Sequence, residues 1–567
     1  MNSKSERVQS SVTASSKAII IFLLILAAAL RIWNLPALNE VRDWDEIGYT
    51  TDGLMAWEGL LPGWESVPAG PQTWESWLFV GARSGWEFLH SQRKAATPGA
   101  LKPLMAIDQA LFKTYEDLGP LRRLLLWISI VISLAGVYGA YRLGAKYGGV
   151  AGGLLMGGLA AVLPLYLEYA GVAKSCSDAW MFSILAVSCA ATMTGAKRCW
   201  WAGTMLGLAI GSRVDMAATV PLVFWGLWES HEKDSLWKSM AGTIALAMAI
   251  ALLSAPFAMQ GFVGILRQIV LSGSGTYWGA EPQRLRTLKE LAWDQGLGLI
   301  FIIAVVGLFF LPYGTRLKRG TLAAFAALVV VSIFARHHQP VRYYGAQIIV
   351  ILVFIAVGAG ALFRRWPKPA LAFAMLLLIF PLVQSIRAAI AMKAIHVPET
   401  STEWVDAHVP AGTTVYVHPA FISRAVLPTE EAADAIWDIV TGNQAWRTKV
   451  LDGFHRFAIP DRQLPRALSE DNLCKDRGVC RRWFILGGGQ SNRPRYNLQL
   501  VPMSATFGLQ RETLGPEFQR TGGVVIWPTR ASGLPGGLGE PFIKWVNYNG
   551  DGILVFVSPD VREKLTH

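Results

Sequence analysis

Charge is scarce in this chain. Asp, Glu, Lys and Arg make up 16% of its 567 residues, against roughly 25% in soluble domains, and the deficit is concentrated in long apolar runs. With 52% hydrophobic residues and a mean hydropathy of +0.35, this excludes an ordinary soluble enzyme and implies an integral membrane protein. Cysteine is scarce as well. Cys176, Cys189 and Cys199 lie in or beside apolar runs, Cys474 and Cys480 lie near the C-terminus, and no pair has the Cys-x-x-Cys spacing of a metal site. A phosphate loop is also missing. Gly487-Gly488-Gly489 lacks the Lys-Ser/Thr and the further glycines such a loop needs, and reads as a turn. No internal repeat of the inverted transporter kind is evident.

Tryptophan is abundant, with 23 residues, and it favours the membrane–water interface. The net charge of +12 does not point to nucleic acid, because the basic residues fall in short clusters between apolar runs. That pattern reads as topology, with membrane lipid as partner. Apolar runs at 18–33, 122–143, 147–168, 178–195, 199–212, 214–229, 238–257, 297–313, 320–336, 343–363 and 369–387 predict about eleven spans. The two runs around Arg213-Val214-Asp215 are short and read as a broken or re-entrant hairpin.

The basic clusters test that register. Residues 4–17, Arg142/Lys146, Lys197/Arg198, Lys233/Lys238, Arg316/Lys318/Arg319 and Arg364/Arg365/Lys368 all fall on one side, taken as cytoplasmic. The organisation expected is an α-helical polytopic membrane protein of the plasma (inner) membrane. A cytoplasmic tail 1–17 leads into a transmembrane domain 18–390, in which 34–121 is a long external loop of interfacial, Trp-rich helices. An extracytoplasmic α/β domain 391–567 follows, with β-type runs at Thr413–Val417, Trp483–Leu486, Val524–Trp527 and Ile553–Val557. Outside the cytoplasm, Cys474 and Cys480 meet oxidising conditions and are able to pair.

The chemistry begins at Arg42-Asp43-Trp44-Asp45-Glu46-Ile47-Gly48-Tyr49, just past the first run. Acidic groups at a bilayer surface are functional candidates by default; the plain alternative is a solvated loop start with a capping Asp. The register places four further polar stretches on the same external side. They are Lys102, then Glu168, Lys174 and Asp178, then Arg213 and Asp215, then Arg336, His337, His338 and Arg342. Singly, each is more often a snorkelling or loop residue; their shared side is the informative observation. Carboxylates with several cations suit transfer from a phosphate-linked donor. A carboxylate takes the proton of an acceptor hydroxyl, and Lys and Arg hold the departing phosphate. Two carboxylates also suit a hard divalent cation.

In order and sidedness these motifs resemble the GT-C glycosyltransferases that use polyprenyl-phosphate sugars, such as protein O-mannosyltransferases and lipid A aminoarabinose transferases. Asp45-Glu46-x-x-Tyr49 with Gly59-x-x-Pro62 looks like the first-loop pattern of that family, and Lys102-Pro103-Leu104 is similar to its Lys-Pro-Pro-Leu element. Tyr169 through Lys174 to Asp178 resembles its Tyr-x-Arg…Asp step. Gly207–Arg213 resembles the segment where a basic residue follows a Gly-rich span, and His337-His338 through Arg342-Tyr343 resembles its late His…Arg-Tyr segment. Glu403-Trp404 through Pro410-Ala411-Gly412 looks like the start of the family's external C-terminal domain, so the likeness covers residues 18–420. Three departures are the lost proline in the Lys102 element, the long Trp-rich gap between Asp45 and Lys102, and Lys174 where Arg is usual.

The resemblance implies a GT-C-like fold and a membrane hexosyl- or pentosyltransferase moving sugar, with inversion, from a polyprenyl-phosphate donor to a hydroxyl. The acceptor is left open among glycan, lipid and protein. It implies Asp45 as general base, with Glu46 shaping the site or sharing a Mg or Mn ion with Asp45. Lys102, Lys174, Arg213, His338, Arg342 and Tyr343 become substrate contacts, and Asp178 a support from the second external loop. Two rivals stay open: a transporter or flippase of a lipid-linked sugar, and an inactive scaffold of the same fold whose C-terminal domain binds partners.

Overall fold

The computed structural model describes residues 2–36, 70–94, 110, 114, 119–173, 175–229, 236–254, 290–311, 318, 321–322, 345–394, 414–417, 497–500 and 555–557. The chain divides into two compact units.

The first unit, residues 1–35, 67–73 and 125–390, is helical. Helix α1, Asn2–Trp33, runs without interruption from the polar N-terminal segment through the first apolar run. Helix α2, Gly70–Lys94, lies in the expected external loop. Helix α3, Gly119–Val162, is two helices joined at Gly149, whose φ of 63° and ψ of −152° are closed to residues with a Cβ. The second arm folds back on the first so closely that a Cβ on Gly153 would lie 2.7 Å from the Tyr141 ring, and one on Gly144 would meet the Gly152 carbonyl. This hairpin corresponds to the second and third expected runs, with its bend at Gly149.

Further helices follow at α4 (Pro164–Ala170), α5 (Ser175–Thr192) and α6 (Ala196–Ser212). Arg213 is extended, a 3-10 turn covers Val214–Thr219, and α7 covers Val220–Glu229. Then come α8 (Leu236–Ser254), α9 (Gly298–Phe309), α10 (Gly345–Arg365) and α11 (Pro367–Ala394). Helix α6 packs on α5 and α8, α7 packs on α5, and α9 pairs with α10. Small residues permit these approaches: Cβ atoms added at Gly203 and Gly207 would lie 2.9 and 2.6 Å from α8 carbonyls.

Five described helices or segments are long and apolar enough to cross a membrane: Ser16–Trp33, Gly119–Val162, Leu236–Ser254, Gly345–Arg365 and Pro367–Ile390. Helix α10 is buried along most of its length. Around the outside, Ile21, Phe22 and Ile25 of α1, Met248 and Leu253 of α8, and Leu376 and Ile379 of α11 are exposed. In water such a surface would drive association; a bilayer is the solvent it fits. The expected run 320–336 lies almost wholly outside the described residues.

The second unit comprises residues 36–66, 74–124 and 391–567. Within it, Arg83 of α2 donates to Thr114 at 3.2 Å, and Trp74 meets Trp77 edge-on at 4.8 Å. Trp74, Leu78, Trp86 and Leu89 form an exposed stripe along α2, whereas Ser76, Val80 and Ser84 are buried. Three short strands form a mixed sheet in the order β2-β1-β3. Strand β1 (Thr414–Val417) runs parallel to β2 (Asn497–Leu500) and antiparallel to β3 (Val555–Val557). β1 and β3 fall on expected runs. β2 was not anticipated, although Leu498 and Leu500 alternate with Asn497 and Gln499 as a strand requires. The other expected strands, and Cys474 and Cys480, lie outside the described residues.

Candidate functional site

The site is built around two interruptions in apolar helices. The first is at Leu163-Pro164. Proline has no N–H and its ring disfavours helix in the residue before it; Leu163 is accordingly extended, between α3 and α4. A break inside a bilayer strands backbone groups that no water satisfies, and here side chains take them. Arg31 donates to the carbonyls of Ala160 at 3.1 Å and Ala161 at 3.0 Å, and Ser385 of α11 donates to the carbonyl of Val162. The Leu165 N–H donates to Gln295 Oε1 at 3.0 Å, and Asn34 Nδ2 donates to the Leu167 carbonyl at 3.1 Å. The break is thereby fixed from α1, from α11 and from the turn ahead of α9.

Fixing α4 fixes Glu168 and Tyr169, both buried. Tyr169 meets Trp180 edge-on at 5.3 Å, and Tyr166 lies 5.7 Å from the same indole. Asp178 sits in the first turn of α5, where the helix dipole favours a carboxylate. It is 1% exposed and accepts a hydrogen bond from the Ser129 hydroxyl of α3.

The second interruption is at Arg213. Its Nε and Nη2 donate to Asp215 Oδ1 and Oδ2 at 2.9 and 2.8 Å, and its Nη1 donates to Cys176 Sγ at 2.8 Å. Cys176 lies one turn or less from Asp178 at the head of α5. The structure therefore joins two of the polar stretches expected on the external side: the α4–α5 connection and the broken hairpin. It gives Arg213 to Asp215, while Asp178 takes a hydroxyl partner. Of the other expected site residues, Asp45, Glu46, Lys102, Lys174, His338, Arg342 and Tyr343 lie outside the described residues. Among the described residues no group of three or more His, Cys, Asp or Glu is placed to hold a metal ion.

The opposite end of the first unit gathers basic residues. Lys146 pairs with Glu229 and donates to the Ala191 carbonyl at 2.7 Å, while the Tyr147 hydroxyl donates to Glu229 at 3.1 Å. Arg364 donates to the Lys146 carbonyl. Two of the clusters assigned to one side by charge counting, Arg142/Lys146 and Arg364/Arg365/Lys368, are thus joined.

Sequence reasoning missed the residues that hold the break at Pro164, namely Arg31, Asn34, Gln295 and Ser385, and also Ser129, the partner of Asp178. Two signals were present, Arg31 inside an apolar run and Pro164 inside another. Each has a common innocent reading, a snorkelling cation or a tolerated kink, and only their contact tells otherwise.

No protein-family model and no curated protein matches the chain. Among solved structures, three of the Archaeoglobus fulgidus oligosaccharyltransferase are similar to it. The apo form is 14% identical, with a TM-score of 0.43, over 95% of this chain and 69% of that one. The complex with Zn and sulfate is 13% identical, TM-score 0.39, over 79% and 58%. The form tethered to an acceptor peptide containing the NVT sequon is 12% identical, TM-score 0.41, over 95% and 68%.

Proposed function

We propose that the chain is a GT-C-like membrane glycosyltransferase that moves a sugar from a polyprenyl-phosphate donor to an acceptor hydroxyl at the external face, with inversion. The observation that supports it most is the joining of Arg213 to Cys176, beside Asp178. Two stretches that the motif order assigned to one site are hydrogen-bonded to each other there, across 37 residues of sequence.

In this reading Asp45 takes the proton of the acceptor hydroxyl as its oxygen attacks the anomeric carbon from the face opposite the phosphate. The new bond to the acceptor oxygen forms as the bond to the phosphate oxygen breaks, and polyprenyl phosphate leaves with the electron pair. Lys102, Arg213 and Arg342 stabilise the charge on that leaving group; Lys174, His338 and Tyr343 complete the donor contacts. Asp178 supports the site from α5. Asp45 and Glu46, which lie outside the described residues, would hold the expected divalent cation.

One structural feature favours the rival transporter reading: a span broken within the helical unit is where transporters bind substrate. Here, however, the carbonyls of residues 160–162, the Leu165 N–H and the Leu167 carbonyl are already bonded to side chains. The break is closed by the protein itself.

Purified protein supplied with a polyprenyl-phosphate sugar tests the enzyme reading directly. Asp45→Asn keeps the shape and removes the base, so transfer falls by roughly a hundredfold or more; undiminished transfer would remove Asp45 from the role. Mass spectrometry of lipid-linked sugars and surface glycans, with and without the protein, identifies the sugar and the acceptor.

A further inference from the structure

Arg213 does not wait as an open cation. The edge formed by Nε and Nη2 is the fork with which arginine grips carboxylate or phosphate through two parallel hydrogen bonds. Asp215 already holds that edge at 2.9 and 2.8 Å. A phosphate monoester presents the same pair of oxygens, and both anions cannot occupy one edge.

The two partners are unequal. The Arg213 side chain is 9% exposed and is tied to α5 through Cys176, whereas Asp215 is 36% exposed. Asp215 also sits in the first turn of a 3-10 segment, whose hydrogen-bond geometry is poorer than that of an α-helix. When the pair separates, Asp215 is the partner free to swing away and Arg213 is the one held in place.

We propose that Asp215 is a resident counter-anion that occupies the phosphate-gripping edge of Arg213 and is displaced when a lipid phosphate arrives. It has two physical effects. It neutralises a nearly buried guanidinium that would be costly unpaired at a membrane. It also sets a threshold: a prenol without charge cannot displace a carboxylate, and a bound lipid phosphate is held only by the margin over Asp215, which favours its release after transfer. The inference rests on the reading of Arg213 as a phosphate contact.

The test titrates farnesyl phosphate, a short prenyl phosphate, into the full-length protein in nanodiscs, with farnesol as the uncharged control. Four proteins are compared: wild type, Asp215→Asn, Arg213→Gln and the double variant. Asp215→Asn should bind farnesyl phosphate roughly tenfold more tightly, the scale of one charge-assisted contact, with farnesol unaffected. On the Arg213→Gln background the same substitution should bring no gain, because there is no fork left to contest. Unchanged or weaker binding by Asp215→Asn, while Arg213→Gln weakens it, would show that Asp215 orients Arg213, and would overturn the proposal with the reading of Arg213 intact. An equal gain on both backgrounds would reduce Asp215 to a general negative field, which also overturns it. Wild-type affinity in Arg213→Gln would sink the reading of Arg213 itself. Should Arg213→Gln fail to fold, Asp215→Asn alone still separates competition from orientation.

Discussion

Arg31 shows how a charge survives inside an apolar helix. Its Nε donates to Ser133 at 2.6 Å, Nη1 to the carbonyls of Ala27 and Ala161, and Nη2 to that of Ala160. Three of these acceptors are backbone, and two belong to the last turn of α3, the negative end of its dipole. Replacing Arg31 with Met strands those carbonyls and the Ser133 hydroxyl without solvent. Roughly 3 kcal/mol of stability should be lost, read as a lowered thermal midpoint in detergent, with Arg31→Lys recovering part of it. Asp178 poses a different question, since burial and a hydroxyl partner are compatible with either packing or function. Asp178→Asn keeps an acceptor for Ser129 and should cost less than about 1 kcal/mol. If its charge supports the site, transfer falls while the unfolding midpoint holds; a wild-type transfer rate would take Asp178 out of the site. Of these residues the sequence reading reached Asp178 and Arg213, through motif spacing. It passed over Arg31 and Ser129, because a buried arginine or serine is distinguished only by what it touches.

Elements are set here mainly by glycine and proline. The bend in α3 rests on Gly149, where φ is 63° and an added Cβ would meet nothing. Gly149→Ala therefore isolates backbone strain, and should cost about 1–3 kcal/mol. At Gly144, whose φ is unremarkable for a helix, an added Cβ meets the carbonyl and carbon of Gly152 in the other arm. Gly144→Ala should destabilise through sterics, and a compensating substitution elsewhere in the bend would not rescue it. Chemical unfolding of both variants checks the pair; a neutral Gly149→Ala would mean that the arms bend elsewhere. The bend was legible to within a few residues from the polar gap between two apolar runs. The split of the third run into α3 and α4 was not, because hydropathy carries no information about who satisfies the backbone.

For the whole molecule, the polar groups separate to two ends of the first unit. One end holds Asp178, Cys176, Arg213 and Asp215; the other holds Lys146, Glu229 and Arg364. If the first end faces outward, a single cysteine at position 215 should react with a membrane-impermeant maleimide in intact cells, and one at 368 only after permeabilisation. The native cysteines would be replaced first. The reverse labelling would place the proposed site on the cytoplasmic face, where the charge pattern does not put it. Sequence by itself determined the solvent and the approximate position of the apolar helices, and it proposed a side for each basic cluster. These depend on local composition, and transfer free energy is summed residue by residue along a run. Only the tertiary structure decided that Arg213 is claimed by Asp215 and tied to Cys176, that Asp178 answers to Ser129, and that the break at Pro164 is closed by Arg31, Asn34, Gln295 and Ser385. Such partners lie up to 223 residues apart in the chain. Where no water reaches, each polar atom is satisfied by whichever side chain packing delivers, and packing is a property of the folded whole.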